Sequence, residues 1–368
     1  MLHPKPPRHR RRQLVLAGTS GLALGLVPLT SGWAQRAAPA SATDPYAEVI
    51  ADGMRFGWLG RSDVQAFITD VAERHAIARS WIEDQFRDAG AQPRAVSLMN
   101  PPPPKPGEPV RKRSWARYRS QHADAARIDD GRAFLREHRD VFDAVQKTSG
   151  VPATVIASII GVETKYGKFM GRYPVLETLA TLAFDSPRRH DFFRQELESL
   201  LIMGRQGVLD LKNIKGSFAG AMGLPQFMPS SWRSYAIGYA AKERVDLFNN
   251  PHDAIASVGN FLKVHGWRPD DPSHVEAVIA PSARPAEFVA PSLTPLHTVA
   301  EIQAAGIAQA SSRLPPWTRA SLIDLPEEDD NVAYWFATHN FFVITQYNRS
   351  FMYAAAVLTL AEALQAPG

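Results

Sequence analysis

A single acid closes an apolar run. "VPATVIASIIGVETKYG", residues 151–167, carries Glu163 near its end. On a helix, spacings of three and four residues put Ile156, Ile159, Ile160 and Glu163 on one face. If that face meets a cleft, loss of water disfavours the carboxylate and raises its pKa. A carboxyl that is still protonated near neutral pH is a general acid. On its own the stretch also fits a glutamate at a frayed helix end, reaching water or an arginine, which is the commoner fate of such an acid.

A second stretch, "KGSFAGAMGLPQFMPSSW" (residues 215–232), mixes Gly216, Gly220 and Gly223 with Ser217, Gln226 and the apolar Phe218, Met222, Phe227 and Trp232. Small residues allow the backbone to approach a ligand closely. Amide and hydroxyl groups beside aromatic platforms suit a sugar chain. The stretch is no phosphate loop, because no "GK[ST]" follows, and a tight turn with core aromatics is its plain structural alternative. "ATHNFFVITQYNRS" adds Asn340, Tyr347 and Asn348, and "FDSPRRHDFF" adds the pair Arg188 and Arg189. An arginine pair commonly coats a surface, but beside an anionic peptide or acidic sugar it acts as a clamp.

These residues must be held by helices. From Tyr46 to about His265 the pattern is mainly helical, as in "SDVQAFITDVAERH", with Ser62 as cap, and "RAFLREHRDVFDAVQKTSG", stopped by Gly150. Pro152 suits a first helical turn. "NPPPPKPGEPVRKR" breaks the series as a polyproline surface loop. Residues 271–337 hold short apolar runs ("HVEAVIA", "EFVAP", "ASLIDL", "NVAYWFA") that read as a small strand-containing insertion. The last run, "NFFVITQYNRSFMYAAAVLTLAEALQ", is read as one helix, apolar nearly all round and therefore buried. The expected division is 46–270 with 338–366 as a helical region and 271–337 as the insertion.

Residues 1–34 form a basic leader, an apolar stretch and a small-x-small site after Ala34, the pattern of a cleaved export signal, followed by a linker over 35–45. Arg11 and Arg12 before "QLV" resemble a twin-arginine signal. The leader carries five of the 41 basic residues and no acid, so the remainder has 36 against 37 acidic residues. A nucleic-acid partner therefore has no global charge support. With no cysteine in the chain, disulfides, zinc–thiolate sites and cysteine nucleophiles are excluded. The histidines form no HExxH-like pair, so no metal is expected. The expected product is exported and most simply periplasmic.

The motifs "WARYR", "GVETKYG", "SPRRHDFF", "GSFAGAMGLPQFMPSSW", "NFLKVHGW" and "NFFVITQYNRS", in this order over residues 46–366, resemble the membrane-bound B type of lytic transglycosylases. The resemblance implies a mainly α fold: a lysozyme-like catalytic core, an additional helical domain and a small β-containing part. It implies cleavage of peptidoglycan between N-acetylmuramic acid and N-acetylglucosamine, leaving a 1,6-anhydro end, with no cofactor. The implied catalytic acid is Glu163. The implied substrate contacts are Tyr118, Arg188, Arg189, Ser217, Met222, Gln226, Phe261, Asn340 and Tyr347, with Phe261 standing where relatives often have tyrosine. Ser217 is expected to hydrogen-bond Glu163 or the substrate acetamido group. Some relatives carry a calcium loop after "PQFMPSS". Here "AIGYAAKERVDLF" offers Gly238, Ala240 and Lys242 instead of oxygen ligands, so no calcium is expected. The expected partners are glycan strands. The chain is read as a monomer, with room for cell-wall synthesis or remodelling proteins. A hydrolytic muramidase, with Asp185 or Asp191 as second acid, and a non-catalytic wall-binding scaffold are the rival readings.

Overall fold

The computed structural model describes residues 46–101, 113–240, 244–311, 314–327 and 331–366. The expected leader, linker and polyproline loop lie wholly or almost wholly outside them. Helices come first: α1 (Ala47–Gly53), α2 (Ser62–His75), α3 (Arg79–Phe86), α4 (Pro93–Met99), α5 (Trp115–His122), α6 (Ala125–Glu137), α7 (Arg139–Ser149) and α8 (Ala153–Thr164). The middle holds β1 (Tyr173–Pro174), α9 (Val175–Asp185), α10 (His190–Arg205), β2 (Lys215–Gly216), α11 (Pro229–Tyr235) and α12 (Pro251–Val264). Then follow β3 (His274–Ile279), β4 (His297–Thr298), α13 (Val299–Ala304), β5 (Ile307–Gln309), β6 (Arg319–Pro326) and β7 (Val332–Ala337), closed by α14 (His339–Tyr347) and α15 (Phe351–Gln365).

The most apolar helices occupy the centre. In α8 every residue from Val155 to Val162 is buried, and α15 buries Tyr353 to Leu358. The two helices pack on each other, and α6 and α12 pack on α8. A helix that is apolar all round has no face to offer water, so it must lie inside. Each fully buried aliphatic side chain contributes about 1.5–3 kcal/mol, which drives this placement.

Three sequence expectations shift at helix ends. Ser62 is the first residue of α2 rather than its cap, and Pro152 caps α8 from just outside it. The run ending at Gly150 is two helices, α6 and α7, that meet at His138. Gly150 does end α7, with φ of 75°. The final apolar run is also two helices, because Asn348 is extended and Ser350 starts anew, its hydroxyl accepting the Tyr353 N–H. That local cap outweighs the continuous apolar pattern.

The strands form an antiparallel five-stranded sheet in the order β4-β6-β7-β3-β5. Leu322 and Phe336, on one face, pack with Val299, Ile302 and Ile307. Ile323, Leu325 and Trp335 join the large helical core, and Trp335 meets Trp115 edge to face at 5.8 Å. Both faces of β6 are thus covered, which is why "ASLIDL" reads as a nearly unbroken apolar run. "EFVAP" is no ladder strand: it ends a short 3-10 turn, and Val289 makes one bridge to Leu322. Among the described residues no helix is long and apolar enough to cross a membrane.

Candidate active site

Glu163 lies in the last turn of α8. The helix stops there because Lys165, Tyr166 and Gly167 adopt positive φ in succession. The Thr164 hydroxyl fixes this end: it donates to the Leu224 carbonyl (2.9 Å) and accepts the Gly167 N–H (3.0 Å). The glycine-rich stretch is thereby pinned beside Glu163. Gly171 lets the two loops close. Its φ is 95°, and a β-carbon there would lie 2.0 Å from the Gly216 carbonyl oxygen.

Some Glu163 surface reaches solvent, but protein encloses the carboxyl on most sides. Burial pushes its pKa up to about 8, and a hydrogen bond from Tyr353 partly offsets the rise. The negative end of the α8 dipole also disfavours the carboxylate. The Tyr353 hydroxyl donates to Glu163 Oε1 at 2.8 Å. Tyr353 is fully buried, and its ring stacks with that of Tyr347, centroids 6.4 Å apart. Burial and the nearby Glu163 charge hold both phenols well above their usual pKa, so they remain neutral donors.

The structure gathers several implied site residues here. Tyr347 donates to the Pro225 carbonyl and contacts the rings of Phe227 and Phe261. Gln226, at φ of 51°, donates to the carbonyls of Met170 (3.2 Å) and Gly223 (2.9 Å), joining the two loops. Tyr118 lies half-buried on α5, which packs against α15, and its ring stacks on His122 at 4.2 Å. Arg188 is exposed and Arg189 half-buried before α10.

Other implied residues are engaged within the protein. Met222 and Phe261 are buried, and Met222 exchanges backbone hydrogen bonds with Phe227. Asn340 is fully buried, and its amide accepts from the Arg268 N–H (2.9 Å) and donates to the Arg268 and Asp271 carbonyls (2.8 Å each). The Ser217 hydroxyl accepts the N–H groups of Ala219 (3.2 Å) and Ala221 (3.0 Å), and the hydrogen-bond partner of Glu163 is Tyr353 instead. Tyr353 escaped sequence reasoning. Its trace in the sequence is a lone hydroxyl inside the apolar run "FMYAAAV", a weaker departure from the pattern than the Glu163 carboxyl in α8.

The acids suggested for hydrolysis have partners other than Glu163. Asp185 pairs with Arg61 at 2.6 Å, and Asp191 is exposed beside His190 at 3.3 Å. In the segment from Ala236 to Phe248, residues 241–243 lie outside the described ones. Asp253, which faces that segment, accepts the N–H groups of Tyr239 (2.8 Å) and Asp246 (2.9 Å). Among the described residues no three His, Asp or Glu side chains are arranged to hold a metal.

Comparison with known proteins identifies the family. The family described as "Transglycosylase SLT domain" matches residues 60–362. The membrane-bound lytic murein transglycosylase B of Escherichia coli (strain K12) is 34% identical over 307 residues, 82% of each chain. The catenated lytic transglycosylase SltB1 from Pseudomonas aeruginosa superposes with a TM-score of 0.75 at 35% identity, over 83% of this chain and 97% of that one. SltB3 from the same organism, solved in complex with NAG-anhNAM-pentapeptide, has a TM-score of 0.70 at 27% identity, over 82% of this chain and 78% of that one. The fold is thus mainly helical and lysozyme-like, and the chain belongs to the transglycosylase SLT domain family, as a lytic transglycosylase of the murein transglycosylase B type that acts on peptidoglycan.

Proposed function

We propose that Glu163 is the acid and then the base in a water-free cleavage of the β-1,4 bond between N-acetylmuramic acid and N-acetylglucosamine. Glu163 first protonates the bridging oxygen, and the bond to the muramic acid C1 breaks. The substrate's acetamido oxygen stabilises the positive charge that develops at C1. Glu163, now a carboxylate, takes the proton from the muramic acid C6 hydroxyl, and that oxygen closes onto C1. The products are a shortened strand and a 1,6-anhydro end, and Glu163 is again protonated. No second carboxyl is needed, unlike ordinary glycosidases.

The observation that carries this reading is the Glu163 carboxyl, enclosed by protein, its pKa pushed up to about 8, with a neutral phenol as donor. Such an acid is protonated at neutral pH yet a competent base after one transfer. Tyr353 limits the rise and orients the carboxyl. Tyr118, Arg188, Arg189, Ser217, Gln226 and Tyr347 hold the glycan, while Met222, Phe261 and Asn340 support the loops behind them. Residues 46–270 with 338–366 form the catalytic region and 271–337 the insertion. The place of work is the periplasm. A relative's complex with an anhydro-muramyl pentapeptide supports the substrate class.

The test is mass spectrometry of muropeptides released from purified sacculi. Products one water lighter than hydrolytic ones, absent with Glu163→Gln, uphold the reading. Products with reducing ends mean hydrolysis, and no products from either protein favour a binding scaffold.

A further inference from the structure

A tyrosine follows Glu163 by three positions, in a turn that bulky residues rarely adopt. Lys165, Tyr166 and Gly167 have φ of 51°, 58° and 88°. A positive φ is unfavourable for a residue with a side chain, and it persists only where the surroundings hold it. The backbone holds Tyr166 weakly, because its N–H reaches the Ile160 carbonyl only at 3.4 Å. The ring holds it instead. Its buried hydroxyl end lies between α6 and α8, and each helix presents a buried glycine to it. A β-carbon at Gly161 on α8 would lie 2.5 Å from the Tyr166 hydroxyl oxygen and 2.6 Å from its Cζ, and one at Gly131 on α6 would come closer still to that oxygen. Phe134, three residues beyond Gly131, lines the same slot, its ring centroid 5.3 Å from that of Tyr166.

The Tyr166 hydroxyl has no hydrogen-bond partner among the described residues. Burial, the largest influence on it, raises its pKa, so it stays neutral. Close packing of the ring, rather than polarity, is therefore what the two glycines admit. The turn locked in this way is the one that ends α8 directly after Glu163. The Thr164 hydroxyl ties the same turn to Leu224 and Gly167, so the ring fixes one side of the turn and the glycine-rich stretch fixes the other.

We propose that Tyr166, seated between Gly131 and Gly161, is a positioning residue that locks the end of α8 and so keeps the Glu163 carboxyl aimed and shielded from water. The proposal rests on the function given above, because it assigns a residue that acts through the acid of that reaction.

Tyr166→Ala empties the slot, and Tyr166→Phe keeps it filled. On soluble uncross-linked glycan strands, Tyr166→Ala should lower kcat about tenfold, with KM changed less than about twofold. Water then reaches Glu163. Burial outweighs the Tyr353 hydrogen bond in setting the pKa of Glu163, so its relief lowers that pKa even if the hydrogen bond weakens too. The alkaline limb of the rate profile should move down by about one pH unit. The 13C resonance of the Glu163 carboxyl should show the same fall in its titration midpoint, read without turnover. Tyr166→Phe should keep kcat within about twofold of wild type, with limb and midpoint unmoved. Should Tyr166→Ala not fold, Tyr166→Leu, which fills part of the slot, is read in the same way. A lower Tm with kcat and midpoint unchanged would make the ring merely structural and overturn the proposal, as would an equal loss of kcat in Tyr166→Phe. Reducing ends in the wild-type products would sink the reaction given above, while the carboxyl titration would still report on the slot.

Discussion

The hydroxyl of Tyr353 and the carboxyl of Glu163 meet at 2.8 Å across the contact between α15 and α8. The phenol cannot ionise there, so it is a permanent donor to the acid. Its bond strengthens when Glu163 is a carboxylate, which is the state between the two half-reactions. The contact thus opposes the desolvation that raises the pKa of Glu163, leaving it near 8.

Tyr353→Phe removes that donor and keeps the ring. Glu163 then loses the hydrogen bond that lowers its pKa, so its pKa rises. The alkaline limb of the rate profile should move to higher pH. The plateau should drop about tenfold, because the intermediate carboxylate is less well held. Rates of muropeptide release against pH check both effects, and a limb that moves to lower pH would contradict the arrangement.

Glu163→Gln should abolish release, by about a thousandfold or more, since no other group replaces the acid. It should also change stability in a pH-dependent way. The folded protein holds a proton that the unfolded chain gives up, with pKa values of about 8 and 4.5 respectively. The stability gained from that proton is complete below pH 4.5, declines up to about pH 8 and is then level. Each unit of difference is worth about 1.4 kcal/mol. Glutamine has no such slope, so the variant should gain in Tm over the wild type between pH 5 and 8, and a constant difference across that range would count against a buried acid.

Much of this centre was legible in single residues that break a pattern. Glu163 interrupts an apolar face, and the glycines of 216–223 interrupt a helical series, so both stood out. Tyr353 did not, because a tyrosine in an apolar helix is ordinary until its partner is known. That partner is 190 residues away, and no local spacing encodes the contact. The two-helix form of 340–365 was hidden for a related reason. Its apolar period runs on through Asn348, while the break is set by the Ser350 cap. The sheet was visible as apolar runs, but its strand order depends on pairing across long loops.

Asn340→Ala should act on stability more than on substrate affinity. The side chain is fully buried and makes three hydrogen bonds to the Arg268–Asp271 backbone. Removing it strands those groups and should cost about 2–4 kcal/mol. Thermal unfolding measures the cost. At a temperature where the variant stays folded, KM should change less than about twofold. A large rise in KM with unchanged Tm would instead make Asn340 a direct substrate contact.

Asp185 and Asp191 decide between the water-free route and hydrolysis. A hydrolytic enzyme needs a second carboxylate to activate water. Asp185 is held by Arg61 at 2.6 Å, and Asp191 projects into solvent beside His190. Asp191→Asn should therefore leave the release rate within about twofold of wild type, a surface change with no role in the reaction. Asp185→Asn should lower Tm by weakening the hold on Arg61, which keeps Asp63 as partner. Both variants should still release products one water lighter than their hydrolytic counterparts, because the C6 hydroxyl and not water closes onto the anomeric carbon. Loss of turnover in Asp191→Asn, or reducing ends in the wild-type products, would restore the hydrolase with that acid as its base.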